Sequence, residues 1–281
     1  MDQIPSNSRK IGKTVVVLPT FNEAASLPEV MNRILKLPLS LDILVVDDSS
    51  PDGTAILVKE HPEFGKRIFL KQRPRKMGLA TAYKEGFQWG LENGYEVCME
   101  MDSDLSHDPE DIPRLLQAIA EGADIALGSR YLHGISVINW PLRRLLVSIG
   151  AGIYTRLFSG LPLSDPTGGF KAIHRDVIEH LDWDSIKSDG YGFQIEVSFF
   201  ARQKGFRIAE IPIIFTERRD GESKFSISIV WEAAIRVLQL GLIRFFPSWE
   251  KVNSIAIEKR KGDNYQSPYR NKLSEKKSEA S

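Results

Sequence analysis

Cysteine is almost absent from this chain of 281 residues. Cys98 stands alone, so no internal disulfide can form, and a reducing compartment is the expected setting. Its apolar neighbours make it a small core residue of a strand. Net charge is absent as well, because 37 Lys and Arg balance 37 Asp and Glu. That balance removes the global positive field of a nucleic-acid binder. No run of 18 apolar residues occurs, so no spanning helix is expected. Met1 to Lys13 is polar and lacks the apolar stretch of a secretory signal. Neither a G-x-G-x-x-G after the first strand nor a G-x-x-x-x-G-K-[ST] is present, which takes the main support from dinucleotide binding and P-loop chemistry. What remains, 42% hydrophobic and 26% charged, is the composition of a soluble globular protein, long enough for one large domain or two small ones.

Strands and helices alternate along the first half. Thr14 to Leu18 is a β-branched run that predicts a buried strand, with Pro19 as its stop. Asn22 reads as an N-cap for a helix over Glu23 to Lys36. Asp42 to Val46, Arg67 to Lys71, Glu96 to Met101 and Asp124 to Leu127 are further strands. Helices are expected over Thr54 to His61, Gly78 to Glu92 and Pro109 to Glu121. This rhythm predicts an α/β fold with a mainly parallel sheet and helices on both faces. Right-handed crossovers put the loops after the strands on one edge, where such sheets bind ligands. Those loops read Pro19-Thr-Phe-Asn-Glu23, Asp47-Asp-Ser-Ser-Pro-Asp-Gly53 and Asp102-Ser-Asp104. Carboxylates gathered in this way repel one another unless a cation or hydrogen-bond donors offset them.

Asp102 and Asp104 follow the fourth strand directly. Strand alternation would send both to the same side, where they could share a hard divalent cation, directly or through water. Ser106 and His107 are close enough to add a ligand or a hydrogen bond. Gly78 allows a tight turn into a helix whose N-terminus could face phosphate or sugar.

Six motifs, in this order, carry a resemblance: Leu18-Pro-Thr-Phe-Asn-Glu23, Val45-Val-Asp-Asp-Ser-Ser-Pro-Asp-Gly-Thr54, Met101-Asp-Ser-Asp-Leu-Ser-His-Asp-Pro-Glu110, Gly128-Ser-Arg-Tyr131, Asp165-Pro-Thr-Gly-Gly-Phe-Lys171 and Arg218-Arg-Asp-Gly-Glu-Ser-Lys224. Together they resemble the family-2 glycosyltransferases, and within them the polyprenol (dolichol) phosphate mannosyltransferases, over about residues 12 to 246. The resemblance implies a GT-A, Rossmann-like fold and inverting transfer of a sugar from a nucleotide-sugar donor to a polyprenyl phosphate, with Mg²⁺ or Mn²⁺ as cofactor. Carried over by position, Pro19, Phe21 and Glu23 line the base and ribose pocket and Asp48 contacts the nucleoside. Asp102 lies near donor sugar and metal, and Asp104 binds the metal. Ser106 stands where related enzymes often carry Gln; its shorter side chain reaches the metal directly or through a water. Arg130 approaches the phosphates, and Arg218, Ser223 and Lys224 hold donor or acceptor phosphate. GDP-mannose is the expected donor and UDP-glucose or another UDP-sugar the alternative. A lipid monophosphate is already anionic, so no general base is required; positive charge is what brings two anions together.

Two stretches point to lipid. Asn139 to Phe158 is apolar and basic, with Arg143, Arg144 and Arg156; Ser226 to Phe246 places Ile227, Val230, Trp231, Ala234, Leu238, Leu242 and Phe245 at helical spacing, with Pro247 after it. The expected organisation is a flexible N-terminus (1–11), a catalytic domain (12–225) with an amphipathic acceptor-side segment (139–158), an amphipathic helix (226–247) and a disordered polar tail (248–281). Residues 251–281 carry 8 Lys and Arg against 4 Asp and Glu. Peripheral attachment at the cytoplasmic face of a membrane is expected, through these helices or a membrane subunit. Three rival readings have their own signatures. A phosphatase of the haloacid-dehalogenase type would carry its D-x-D after the first strand. A nucleotidyltransferase would show a Gly-rich loop near the N-terminus. A non-catalytic nucleotide-sugar binder would have no need to keep the acidic pair.

Overall fold

The structure, a computed structural model, describes residues 9–217 and 227–245, with side chains for 9–217 and 233–244. Residues 1–8, the site candidates Arg218, Ser223 and Lys224, and the polar tail from 248 lie outside the described residues.

Nine strands and eight α-helices are described. The first half runs β1 (Thr14–Thr20), α1 (Leu27–Lys36), β2 (Leu41–Asp47), α2 (Thr54–Glu60), β3 (Ile68–Gln72), α3 (Leu79–Glu92), β4 (Val97–Glu100), a 3₁₀ turn (Pro109–Asp111) leading into α4 (Ile112–Ala120), and β5 (Ile125–Ser129). The second half adds β6 (Val137–Ile138), α5 (Leu142–Ser159), β7 (Lys171–His174), α6 (Arg175–His180), α7 (Gly190–Gln203), β8 (Ile208–Pro212), β9 (Phe215–Thr216) and α8 (Ile227–Phe245). Seven strands form one sheet in the order β3-β2-β1-β4-β7-β5-β8, and β6 pairs with β9 separately. Every pairing in the large sheet is parallel except those of β7, which runs antiparallel to both β4 and β5.

Strand alternation builds two cores. Val15 and Val17 of β1 face α3 and α7; Val16 and Leu18 face α1, α2 and α4. Helices therefore cover both faces, as expected for an α/β sheet. Cys98 is buried in the first of these cores, and burial pushes its thiol up to about 12, so it is inert packing. On that face α3 lies close to β1: a Cβ at Gly86 would stand 2.5 Å from Val17.

Two local expectations need correction. Pro19 does not stop β1, which continues to Thr20. The β4 ladder ends opposite Val17, so Pro19 sits past its partner, where its missing N–H costs no ladder bond and its carbonyl instead accepts from Ser103 Oγ at 2.9 Å. Asn22 is not the N-cap of α1. It holds a left-handed conformation (φ 61), and the helix begins four residues after Glu23, flanked by Ser26 and with Pro in its first turn. The backbone N–H groups of residues 22–24 turn to side chains of the next loop instead, as described below.

Candidate active site

The ends of β1, β2, β3, β4, β5 and β8 meet on one edge, and antiparallel β7 brings its beginning to the same edge. There the loop after β1 is laced to the loop after β2. Asn22 N–H donates to Ser50 Oγ (3.0 Å), Glu23 N–H to Thr54 Oγ1 (3.2 Å) and Ala24 N–H to Asp52 Oδ2 (2.9 Å). Asp47 is buried and accepts from Thr20 Oγ1 (2.9 Å), Ser50 N–H (3.0 Å) and Ser50 Oγ (2.6 Å). Burial works to raise the Asp52 carboxyl, but donors from Thr54 and Ala24 outweigh it and hold the pKa below its usual value. Asp48 accepts from Arg73 Nε (2.5 Å) and from the Met77 N–H (3.0 Å). Hydroxyls, amides and one guanidinium donate to all three carboxylates of this acidic loop.

Arg73 was not among the sequence candidates. It lies directly after β3, is buried, and also donates to Thr81 Oγ1 (2.7 Å) and the Gly78 carbonyl (2.9 Å). Its signal was its position at the end of a strand on the ligand edge, obscured because β3 is the weakest strand in the sequence. Beside it, Lys76 lies over the Phe21 ring at 4.5 Å. The N-terminus of α3 is partly taken. Asp189, the residue before α7, accepts from Ala80 N–H at 2.7 Å and lies against Gly78, which holds φ 97. A carboxylate thus occupies the place suggested above for phosphate.

β4 ends at Glu100, so Asp102 and Asp104 lie on a loop and strand alternation does not set their direction. The loop is shaped by other contacts. Leu105 adopts a left-handed φ of 64, uncommon for a residue with a branched side chain. Ser106 donates to Asp104 Oδ1 through both N–H (3.1 Å) and Oγ (2.5 Å), and Ser103 ties the loop to Pro19. Asp104 is 9% exposed, while the Asp102 side chain is 37% exposed. His107 is buried; burial pushes its pKa down to about 4, Asp104 pulling upward against it and Arg130 adding to the fall. Its Nδ1 accepts the Asp102 N–H at 3.2 Å. Behind the loop, Glu100 and Lys171 form a fully buried pair at 3.9 Å.

Arg130 follows β5. Its Nε and backbone N–H donate to Asp165 Oδ2 (2.6 and 3.0 Å), and its Nη2 donates to Asp165 Oδ1 (2.6 Å) and Thr167 Oγ1 (2.9 Å). Tyr131, Trp140 and Phe215 place their ring centroids 5.4, 5.4 and 5.5 Å from the guanidinium carbon. Burial opposes the cation, but Asp165 more than offsets it and raises the pKa of Arg130. Arg130 is therefore a buried, fixed positive group at the edge, not a mobile one. Asp165 is itself oriented by its own N–H, which donates to Glu210 Oε1 at 3.0 Å. Asp165 stood inside a recognised motif, but its role needed the tertiary contact with Arg130 to appear. The edge thus brings together Pro19, Phe21, Glu23, Asp48, Asp102, Asp104, Ser106 and Arg130. Between α5 and the segment before β7, a cleft of about 210 Å³ is lined by Tyr131, Ser148, Arg156, Asp165 and Thr167.

Residues 15–182 match the family model described as glycosyl transferase family 2. The chain is 44% identical over 242 residues to the polyprenol monophosphomannose synthase of Mycolicibacterium smegmatis, covering 85% of this chain and 90% of that one. It is 43% identical over 230 residues to the undecaprenyl-phosphate mannosyltransferase of Micrococcus luteus, covering 82% and 94%. With the dolichol-phosphate mannosyltransferase of Pyrococcus furiosus the identity is 36%, over 81% of this chain and 63% of the relative. The fold is similar to the crystal structure of glucosyl-3-phosphoglycerate synthase from Mycobacterium tuberculosis in complex with Mn²⁺, UDP and glucosyl-3-phosphoglycerate, with a TM-score of 0.59, 19% identity, and coverage of 83% and 79%. The mainly parallel sheet, the motif order and these likenesses agree: the chain belongs to the family 2 glycosyltransferases.

Proposed function

We propose that the chain transfers mannose, with inversion, from GDP-mannose to a polyprenyl phosphate, giving a lipid-linked phosphosugar. The observation that carries this is the 43–44% identity over nearly the full length of two relatives named for mannosyl transfer to such lipids. In this reading Pro19, Phe21, Glu23 and Asp48 hold the nucleoside. Asp102 and Asp104 would hold Mg²⁺ or Mn²⁺. Their carboxylate oxygens are the donors a hard cation takes; among the described residues no group of three or more His, Cys, Asp and Glu is set to hold a metal, so diphosphate oxygens and water would have to complete the shell. When bound, the cation neutralises charge developing on the departing diphosphate. An acceptor phosphate oxygen bonds to the anomeric carbon as the bond from that carbon to the diphosphate breaks. Arg218, Ser223 and Lys224 supply the donors that bring the two anions together, and Arg130, whose Nε and Nη2 are held by Asp165 and Thr167, adds a fixed positive group at the same edge.

Ser106 enters this reading through Asp104. Both of its donors go to Asp104 Oδ1, so it orients that carboxylate, and its hydroxyl oxygen keeps lone pairs that would reach the cation directly or through a water. Ser106→Ala is expected to weaken cation activation about threefold to tenfold and to keep turnover at saturating cation. A loss near that of removing Asp104 would make Ser106 a direct ligand.

The acceptor side fits a lipid surface. On α5, Leu142, Leu146, Ile153 and Leu157 form one exposed apolar stripe, and Ile235, Leu238 and Leu242 form another on α8. The helices are joined where Tyr154 OH donates to the Ala234 carbonyl at 3.1 Å. Arg143 and Arg156 flank the stripe on α5. Among the described residues no helix is long and apolar enough to cross a membrane. The stripes support peripheral attachment to a lipid surface; in this reading that surface is the cytoplasmic face, and no separate membrane subunit is part of it.

A donor panel tests the assignment. The chain is incubated with GDP-mannose, UDP-glucose or UDP-N-acetylglucosamine, a polyprenyl phosphate, and Mg²⁺ or Mn²⁺. Lipid-linked mannose from GDP-mannose, abolished by chelator, is expected. Product from UDP-glucose alone would reassign the donor, and nucleotide binding with no product from any donor would favour a non-catalytic binder.

A further inference from the structure

We infer that His107 is a positioning residue for the Asp102–Asp104 loop: its Nδ1 anchors the Asp102 backbone N–H, and two rings from distant segments hold that acceptor in place. The inference rests on the cation site proposed above.

Asp102 emerges two residues after the β4 ladder has ended at Glu100, so its N–H has no strand partner. His107 supplies the acceptor at 3.2 Å. An N–H can donate only to an unprotonated nitrogen, so Nδ1 is bare and the ring proton sits on Nε2. The loop turns sharply between the two residues, through Leu105 at φ 64, and this bond closes the turn. The Asp102 side chain is 37% exposed, and its Oδ2 lies 3.8 Å from the same His107 Nδ1. The backbone bond and the carboxylate therefore both meet this ring.

The ring is itself held. Phe170, directly before β7, stacks on it at 5.0 Å and 29°, and Phe215 of β9 meets it edge-on at 5.2 Å and 79°. Phe215 also packs edge-on against Trp140 at 5.6 Å and lies 5.5 Å from the Arg130 guanidinium. One wall therefore supports both the acidic loop and the buried arginine. A second tie runs beside it, where Thr216 N–H donates to the Ser106 carbonyl at 3.2 Å. An imidazole suits this place because it accepts the N–H and fills the slot between the two rings.

Three variants separate the acceptor from the packing. Asn places its Oδ1 where Nδ1 stands, Gln carries the same amide one carbon too far, and Phe keeps the stack without an acceptor. Mn²⁺ affinity is read from the paramagnetic resonance of free Mn²⁺, with and without GDP, together with the melting temperature. His107→Asn is expected to bind Mn²⁺ within about threefold of the wild type, and His107→Gln and His107→Phe about tenfold more weakly. Equal affinities for the Asn and Gln variants, or wild-type affinity in the Phe variant, overturn the inference. The Asn and Gln pair decides the matter if the Phe variant does not fold. Asp104→Asn is measured alongside. If it too leaves Mn²⁺ binding unchanged, the cation site itself has failed; if it alone abolishes binding, only the role of His107 falls.

Discussion

Replacing Asp104 by Asn is expected to cut mannosyl transfer at least about a thousandfold while leaving the chain folded. The magnitude follows from the several kcal/mol that a Lewis-acidic cation contributes to transition-state charge, at 1.36 kcal/mol for each factor of ten. Asn keeps an oxygen where Ser106 N–H and Oγ donate at 3.1 and 2.5 Å, so the loop retains its internal bonds and loses only the charge. Asp104→Ala removes that acceptor too, leaving two buried donors of Ser106 unpaired, and adds a stability loss of about 1–3 kcal/mol. The two variants should therefore share the activity loss and differ in melting temperature. Initial rates across a Mn²⁺ titration and thermal unfolding are the measurements. Full turnover in Asp104→Asn would remove the cation site.

The second large effect concerns stability. Asp165→Asn is expected to destabilise the fold by about 3–5 kcal/mol, because it leaves the Arg130 guanidinium buried without a counter-charge. The pair is 8% and 1% exposed at its side chains, so solvent does little to screen it. Urea unfolding measures the loss, and an unchanged midpoint would show that water already reaches the arginine. Joint replacement, Arg130→Met with Asp165→Leu, should recover much of the stability and none of the activity, which separates the pair's part in folding from its proposed part in binding phosphate. The pH dependence has a definite sign. Burial raises the Asp165 carboxyl, but Arg130 outweighs it and the folded-state pKa lies below the usual value. The group contributes its full stability above the unfolded carboxyl pKa of about 4, and loses it as pH falls through the lower folded value. Wild-type stability should fall below about pH 4 more steeply than that of the Asn variant.

The sequence was most legible where structure is local. The strands β1, β2, β4 and β5 each follow from a short apolar or β-branched run between helical periods. α5 and α8 follow from helical spacing. β7 was not read, because Lys171-Ala-Ile-His174 is short and its pairing with β4 and β5 is wholly non-local. The candidate site divided in the same way. Asp102 and Asp104 stood out by spacing at the end of a strand. Arg73 and Asp165 act through partners 25 and 35 residues away, and only the folded chain shows those contacts; His107, legible as a residue able to add a ligand or a hydrogen bond, makes that bond to Asp102 five residues back. Asn22 misled because its side-chain type favours caps, whereas its left-handed backbone and the Ser50 hydroxyl decide its conformation.

The reversed strand also sets an order of assembly during synthesis. β4 can pair with β1 once both are made, but its other side must wait for β7, where Glu100 pairs with Lys171. At about 5–20 residues per second, the ribosome takes several seconds to make the intervening stretch. A nascent chain that had already formed β4 would carry through that interval an open strand reading Val97-Cys-Met-Glu100, apolar but for its last residue. Such an edge is a template for pairing with other chains. Glu100, which ends in a fully buried ion pair with Lys171, is the one charge on that edge while the chain is still incomplete. The same carboxylate would thus discourage mispairing early, and it lies beneath the acidic loop once the sheet has closed.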